Sequence, residues 1–140
     1  MVKISRSRIS KLYQEILGRL PSSYPQAQLI IHTSLKDLRK CYTNSDEITI
    51  DLPYAYCDAQ DLTIHVSTAF YNDTIETMSY YFLHEIGHLY SLKFGESDPR
   101  WDDYDLAERY ANGFAARWLK RLEKEDWFGK VKEKIKKGVS

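Results

Sequence analysis

The segment His84-Glu85-Ile86-Gly87-His88 constrains this chain more than any other. Four residues of an α-helix turn through about 400°, so His84 and His88 would lie on one helix face, one turn apart. Two neutral imidazoles at that separation can hold one Zn²⁺. Glu85 lies one step around the helix, where its carboxylate could take a proton from a water on the metal. The pattern therefore predicts a helix with one face turned towards a metal ion.

The flanking residues also favour a helix here. The run Asp73-Thr74-Ile75-Glu76 is typical of a helix start, with an acceptor followed three residues later by Glu. Apolar residues then recur at helical steps: Ile75, Met78, Phe82, Ile86, Leu89 and Tyr90. Gly95 offers an end to the helix. Gly87, inside it, costs roughly 1 kcal/mol relative to Ala, which suggests close approach of another element.

A catalytic zinc site needs a third protein ligand and an open position. No histidine follows His88, and the remaining two, His32 and His65, lie upstream. We therefore expect a carboxylate, and Glu108 on the next predicted helix, 20 residues after His88, is the candidate. Other acids nearby rank lower because they lie in a first helical turn or in the connecting loop: Asp105, Glu96 and Asp98.

The helix that carries Glu108 has further features. Ala107, Ala111 and Ala115 repeat every four residues, a small-residue stripe that lets two helices come close. Asn112 lies one turn after Glu108, where its carbonyl could accept the second N–H of a metal-bound imidazole; the alternative is that it faces solvent. A donor for the developing oxyanion is expected as well, and among 11 tyrosines Tyr104 is the candidate.

Together these motifs resemble a known group of proteins. H-E-x-x-H with a downstream Glu resembles the gluzincin metallopeptidases. More narrowly, the motif with Glu108-x-x-Ala111-Asn112-x-Phe114-Ala115 is similar to the ImmA/IrrE family, over roughly residues 60–120. The resemblance implies a zinc peptidase that cleaves a DNA-binding repressor, often encoded by phage or mobile elements. It implies Zn²⁺ held by His84, His88 and Glu108, with Glu85 as general base.

Two alternatives remain open. The first is a catalytically silent binding module of zincin-like fold that regulates a partner protein by contact. The second is a nucleic-acid-binding protein with a fortuitous motif; zero net charge and the lack of a recognisable DNA-binding motif disfavour direct nucleic-acid binding. The sequence does not reveal the oligomeric state.

Charge and composition narrow the class of protein. No Lys or Arg occurs between Lys40 and Lys93, whereas that stretch holds eight acidic residues and both termini are basic. Such a field would attract a metal cation and a basic polypeptide such as a repressor; a merely solvated acidic face is the alternative. Without an apolar leader or membrane-spanning run, we expect a cytoplasmic protein with free Cys41 and Cys57, neither a zinc ligand.

The whole pattern predicts one α+β domain over residues 1–140, zincin-like, with a short three-stranded sheet packed on helices and the motif on a central helix. The metal-site core would span about residues 60–120. Strand 62–67 is expected at the sheet edge beside the cleft, pairing with an extended substrate, and His65 on it is expected at the surface. The remaining predicted elements are a helix over 5–20, strands over 28–33 and 47–52, a short helix over 34–40, the Glu108 helix to about 125, and a basic last helix over 127–138.

Overall fold

The computed structural model describes residues 6–34, 36–38, 55–58, 61–67, 74–94 and 104–138, without the side chains of 92–94, 104, 137 and 138. Its helices and strands are α1 (Arg6–Arg19), β1 (Gln28–His32), β2 (Ala55–Asp58), β3 (Thr63–Ser67), α2 (Ile75–Phe94), α3 (Tyr104–Lys124) and α4 (Trp127–Gly138). This order confirms the α+β class. None of the helices in these ranges is long and apolar enough to cross a membrane.

The described strands form one sheet in the order β1-β3-β2. β3 pairs in parallel with β1, from Gln28↔Thr63 to His32↔Ser67. It pairs antiparallel with β2, from Ala55↔Val66 to Asp58↔Thr63. The expectation that residues 62–67 form an edge strand open to a substrate is therefore wrong, because β3 has a hydrogen-bonded neighbour on each side.

Two other sequence predictions differ from the structure or lie outside it. β2 was not anticipated, because its four residues Ala-Tyr-Cys-Asp lack an alternating apolar pattern. The strand predicted over 47–52 lies outside the described residues. The short helix predicted from Ser34 does begin there, since the Leu38 N–H donates to the Ser34 carbonyl and the Asp37 N–H to its hydroxyl; its later residues are outside the described part.

α1 is an amphipathic helix that closes one side of the core, and it ends at Arg19, one residue before the end of the predicted 5–20. Its buried face consists of Ile9, Leu12, Tyr13 and Ile16. Burying a side chain of this size stabilises the fold by roughly 1.5–3 kcal/mol. The Tyr13 hydroxyl donates to the carbonyl of Ala27 at 2.6 Å, which ties α1 to the residue before β1. Burial also raises the pKa of Tyr13, which keeps this donor protonated.

α2 is the central helix. Its N-cap is Thr74, one residue later than the sequence suggested, because the Thr74 hydroxyl accepts the N–H of Thr77 at 3.1 Å. The Met78 N–H donates to the Thr74 carbonyl at 2.9 Å. Apolar residues around α2 are almost completely buried: Met78, Phe82, Leu83, Ile86 and Leu89. They share a hydrophobic cluster with Ile64 and Val66 of β3, so α2 packs on the sheet.

α2 and α3 approach closely at Gly87. A Cβ added there would lie 3.1 Å from the Cβ and ring of Phe114 on α3. Ala111 and Ala115 of α3 are fully buried. The close approach expected from Gly87 and the alanine stripe is thus observed, and it brings the first turns of α3 beside the motif.

α3 and α4 are joined by a two-residue turn. Asp126 has φ 56°, the left-handed conformation that Asp tolerates better than most residues. α4 begins at Trp127, as predicted, and buries one face against the core: Trp127, Phe128, Val131 and Ile135. Lys130, Lys132, Lys134 and Lys136 lie on its exposed side. Lys132 pairs with Glu76 at 2.9 Å and Lys134 with Glu15 at 3.0 Å.

Candidate metal centre

The imidazoles of His84 and His88 converge at their Nε2 atoms, which lie 3.2 Å apart. The ring planes are almost perpendicular, at 86°, with centroids 4.7 Å apart. Both side chains are largely buried, with 13% and 11% of their surfaces exposed. The helical period alone produces this pair, because α2 runs unbroken through the motif.

α3 brings a carboxylate to the same point. Glu108 Oε1 lies 2.9 Å from His88 Nε2, and Glu108 Oε2 lies 3.2 Å from His84 Nε2. Ligand atoms bound at about 2.0–2.1 Å around a tetrahedral zinc lie roughly 3.3–3.4 Å from one another. The nitrogen and oxygen donors of these three side chains therefore have the chemistry and nearly the spacing that Zn²⁺ requires.

The same atoms attract one another without a metal. Hydrogen bonds from His84 and then from His88 hold the pKa of Glu108 down to about 2. Burial lowers the pKa of His84, but its hydrogen bond to Glu108 and the negative charges of Glu85 and Glu108 outweigh burial, so the pKa is raised. A proton and a metal ion thus compete for the same imidazole lone pairs.

Glu85 lies beside this group and is 7% exposed. One of its carboxylate oxygens lies within 4.8 Å of the histidine donor atoms. Burial raises the pKa of Glu85, although the charges of His88 and His84 act against that rise. His84, Glu85 and His88 are therefore close enough together to share one metal ion. A buried carboxylate with a raised pKa can also accept a proton and give it back, so Glu85 has the chemistry of a base as well as that of a ligand.

Cys57 was not expected in this region from the sequence. Its thiol on β2 hydrogen-bonds with Glu85. Although the residue is partly exposed, burial of the thiol, followed by the charge of Glu85, raises its pKa well above the ordinary value. The thiol therefore stays protonated and donates to the carboxylate. Only recognition of β2 could have revealed it, since Cys57 lies 28 residues before Glu85.

Tyr80 and Asn112 lie on the side of His84 towards α3. The Tyr80 hydroxyl donates to the Asn112 side-chain carbonyl at 2.8 Å. The Tyr80 ring lies 6.2 Å from the His84 ring. His84 Nδ1 is buried and has no close hydrogen-bond partner among the described residues. The neighbouring Asn112 side chain nevertheless helps to raise the pKa of His84. Its carbonyl accepts from Tyr80 but, with two lone pairs, can accept a second N–H. Asn112 is itself exposed, and its role beside a metal-bound imidazole stays a prediction.

The other candidates from the sequence do not join the three donors. Asp105 is exposed on α3, one turn before Glu108. Tyr104 is the first residue of α3, and its side chain lies outside the described part of the chain. Glu96 and Asp98 also lie outside the described residues, as does Cys41.

His65 lies in a different environment from the one expected. It is 7% exposed, stacked on Tyr56 with centroids 4.4 Å apart and on His32 with centroids 5.1 Å apart. Its Nδ1 lies 2.9 Å from His32 Nε2, and its Nε2 lies 3.1 Å from the Thr63 hydroxyl. The expectation of a surface histidine is therefore wrong: cross-strand packing from both neighbouring strands buries it.

Comparison with known proteins returned no relative. No family model matches the chain, and neither a curated protein nor a solved structure matches it. The interpretation of this site therefore depends on its own residues, distances and electrostatics.

Proposed function

We propose that this chain is a zinc-dependent endopeptidase of zincin-like fold, in which His84, His88 and Glu108 hold the metal. The observation that carries the proposal is the convergence of three side chains from two helices, whose nitrogen and oxygen atoms lie 2.9–3.2 Å apart. A buried Glu85 at the side of this group supplies a base, which a purely structural metal site would not need. The resemblance of both motifs to the ImmA/IrrE family supports the same function.

A bound Zn²⁺ would supply Lewis acidity and would lower the pKa of water towards about 7. Glu85 removes a proton from the attacking water and later delivers it to the leaving amine. The raised pKa of Glu85 suits the first transfer, because a stronger base accepts the proton more readily. The Cys57 thiol donates to this carboxylate and limits its rotation, so Cys57 is a positioning residue.

Two tyrosines are candidates for the donor that stabilises the oxyanion. Tyr104 was inferred from the sequence, and Tyr80 has its ring 6.2 Å from that of His84. Burial and the charge of Glu108 raise the pKa of Tyr80, which keeps its hydroxyl a donor. A single donor of this kind contributes about 2.7–4 kcal/mol to catalysis in a peptidase.

The proposed substrate is an extended segment of a basic regulatory protein, such as a DNA-binding repressor. Residues 41–92 contain no Lys or Arg, so the field around the site favours a positively charged chain. β2 replaces β3 as the strand proposed to pair with the substrate. It lies at the sheet edge among the described strands, and its Cys57 contacts Glu85.

A catalytically silent binding module is the second candidate. The hydrogen bonds from His88 and His84 to the Glu108 carboxylate, at 2.9 and 3.2 Å, favour it because they link α2 to α3 even without a metal. In such a module, Glu85→Gln would leave the biological effect unchanged.

The test uses the purified chain, its Glu85→Gln variant and a matched Glu133→Gln control on the exposed face of α4. All three proteins should contain about one zinc per chain. After incubation with a cell lysate, new protein N-termini are identified by mass spectrometry. Cleavage should appear with the parent and with Glu133→Gln, and should fall by about 10²–10⁴-fold with Glu85→Gln. The peptidase proposal fails if Glu85→Gln produces the same termini at the same rate, or if the parent produces none.

A further inference from the structure

A cavity of about 400 Å³ opens on the far side of α2 and α3, next to the connection between α1 and β1. This volume lies within the roughly 300–1,000 Å³ typical of small-molecule sites. Phe114 and Trp118, only 4% and 7% exposed, form its floor. Tyr24, Tyr90 and Tyr110 are partly exposed and form its walls.

The cavity is separate from the metal centre. Each residue of a helix advances about 100° around the axis. Tyr110 and Phe114 therefore lie roughly 200–240° around α3 from Glu108. Tyr90 lies roughly 240° around α2 from His84 by the same reckoning. The metal centre and the cavity thus occupy opposite faces of the same helix pair.

The rings enclose the space without filling it. Tyr24 contacts three other rings, with centroids 4.7 Å from Tyr90, 6.0 Å from Phe114 and 5.9 Å from Trp118. An open space with aromatic walls offers stacking surfaces to a planar ligand.

Positive charge lies at the mouth of the cavity. Arg117 and Arg121 line it, and both are exposed. The guanidinium carbons of Arg121 and Arg19 lie 4.9 and 5.4 Å from the ring centroid of Trp118. Glu125 pairs with Arg19 through a 2.7 Å hydrogen bond and lies 3.9 Å from Arg121. Arg19 and Arg121 therefore share one carboxylate, and Arg117 adds a further cation, which leaves the mouth positive.

We propose that this cavity binds a small aromatic anion, meaning a planar ring that carries a carboxylate or a phosphate. The ring stacks among the tyrosines and Phe114, next to the Trp118 ring on which Arg19 and Arg121 already lie. The anionic group meets Arg117 and Arg121, whose planar guanidinium forks match carboxylate and phosphate geometry. Because the site lies on the opposite face of the helix pair, its occupation does not depend on the proposed peptidase activity.

The test is titration calorimetry of the full chain with three probes: phenyl phosphate, inorganic phosphate and phenol. Phenyl phosphate should bind saturably with a Kd of about 1 mM or tighter, and each of the other two at least about tenfold more weakly. The double variant Arg117→Gln/Arg121→Gln should weaken phenyl phosphate binding by about tenfold or more. Both positions are exposed, so the variant keeps the core intact.

Two controls separate this site from the rest of the surface. Lys120→Gln removes an exposed cation of α3 outside the cavity and should leave binding unchanged. His88→Ala, which disrupts the metal centre, should leave it unchanged as well. The proposal is overturned by any of four results: no saturable binding, equal binding of phenol, full binding by the double arginine variant, or loss of binding in His88→Ala.

Discussion

Glu108 is the side chain through which α3 reaches the histidines of α2. Replacing it with alanine removes a direct donor, so the loss of zinc affinity should exceed the roughly 10–100-fold cost of losing an outer hydrogen-bond partner. Competition with a chromogenic chelator measures this change. Asp105→Ala, one turn earlier on α3 and exposed, should keep the parent affinity. Equal affinities for Glu108→Ala and the parent would place the third ligand elsewhere.

The pairing of His84 with His88 follows from a rule that acts locally, because the helical period aligns them. Glu108 was expected near them from its place on the next helix, and α3 carries it there. Cys57 could not be found in this way, because its contact with Glu85 depends on a strand with no clear apolar alternation. The hydrogen bond from Tyr80 to Asn112 likewise depends on how α2 and α3 are rotated about their axes. The metal-binding role of the group stays a prediction.

α2 and α3 approach each other closely at Gly87. This contact sets the position of Glu108 relative to the two histidines. Gly87→Ala would gain roughly 1 kcal/mol of helix propensity. The added Cβ would lie 3.1 Å from the Cβ and ring of Phe114, and overpacking of this kind typically costs about 1–3 kcal/mol. Phe114 is only 4% exposed and its Cβ is fixed to the backbone, so it has little room to move. We expect a net loss of stability of about 1 kcal/mol.

Gly18→Ala is the matched control for this substitution. Gly18 is also helical, in α1, and a Cβ there meets nothing within 4 Å. This variant should gain up to about 1 kcal/mol, so thermal unfolding should shift the two variants in opposite directions. Gly87→Ala should also bind zinc more weakly, because separating the helices moves Glu108 away from the histidines. If both variants become more stable, α2 and α3 are not tightly packed at Gly87.

The strands show which features of secondary structure could not be predicted from the sequence. Residues 63–67 were identified because apolar and polar residues alternate along them. Their place in the middle of the sheet was not identified, since strand order depends on partners distant in sequence. β1 lies more than 30 residues from its partner β3. The bounds of the helices were predicted closely, for example those of Arg6–Arg19 and Trp127–Gly138. The reason is that apolar residues recur at helical spacing within each segment.

The stacked pair of His32 and His65 makes the stability of the whole fold sensitive to acid. Burial lowers the pKa of both, and the charge of His32 lowers that of His65 further. Asp37 opposes the change at His32, and Asp58 and Asp61 oppose it at His65. The unfolded chain therefore binds protons more readily than the fold. The contribution of the pair is present above the unfolded histidine pKa of about 6.5 and is lost as the pH falls below it.

This effect is measured as the free energy of unfolding of the metal-free protein. With zinc bound, the metal would also leave as its ligands take up protons, and that loss would add to the pH dependence. His65→Gln removes one member of the pair, so its stability should fall less than that of the parent between about pH 7.5 and 5.5. His84 has a raised pKa, so its contribution is present at low pH and is lost as the pH rises. That contribution is common to both proteins and cancels in their difference.

Chemical denaturation in the presence of a chelator at several pH values measures the gap in free energy of unfolding between the parent and His65→Gln. We expect the gap to narrow as the pH falls, and parallel curves would show that the His32–His65 contact does not couple folding to protonation.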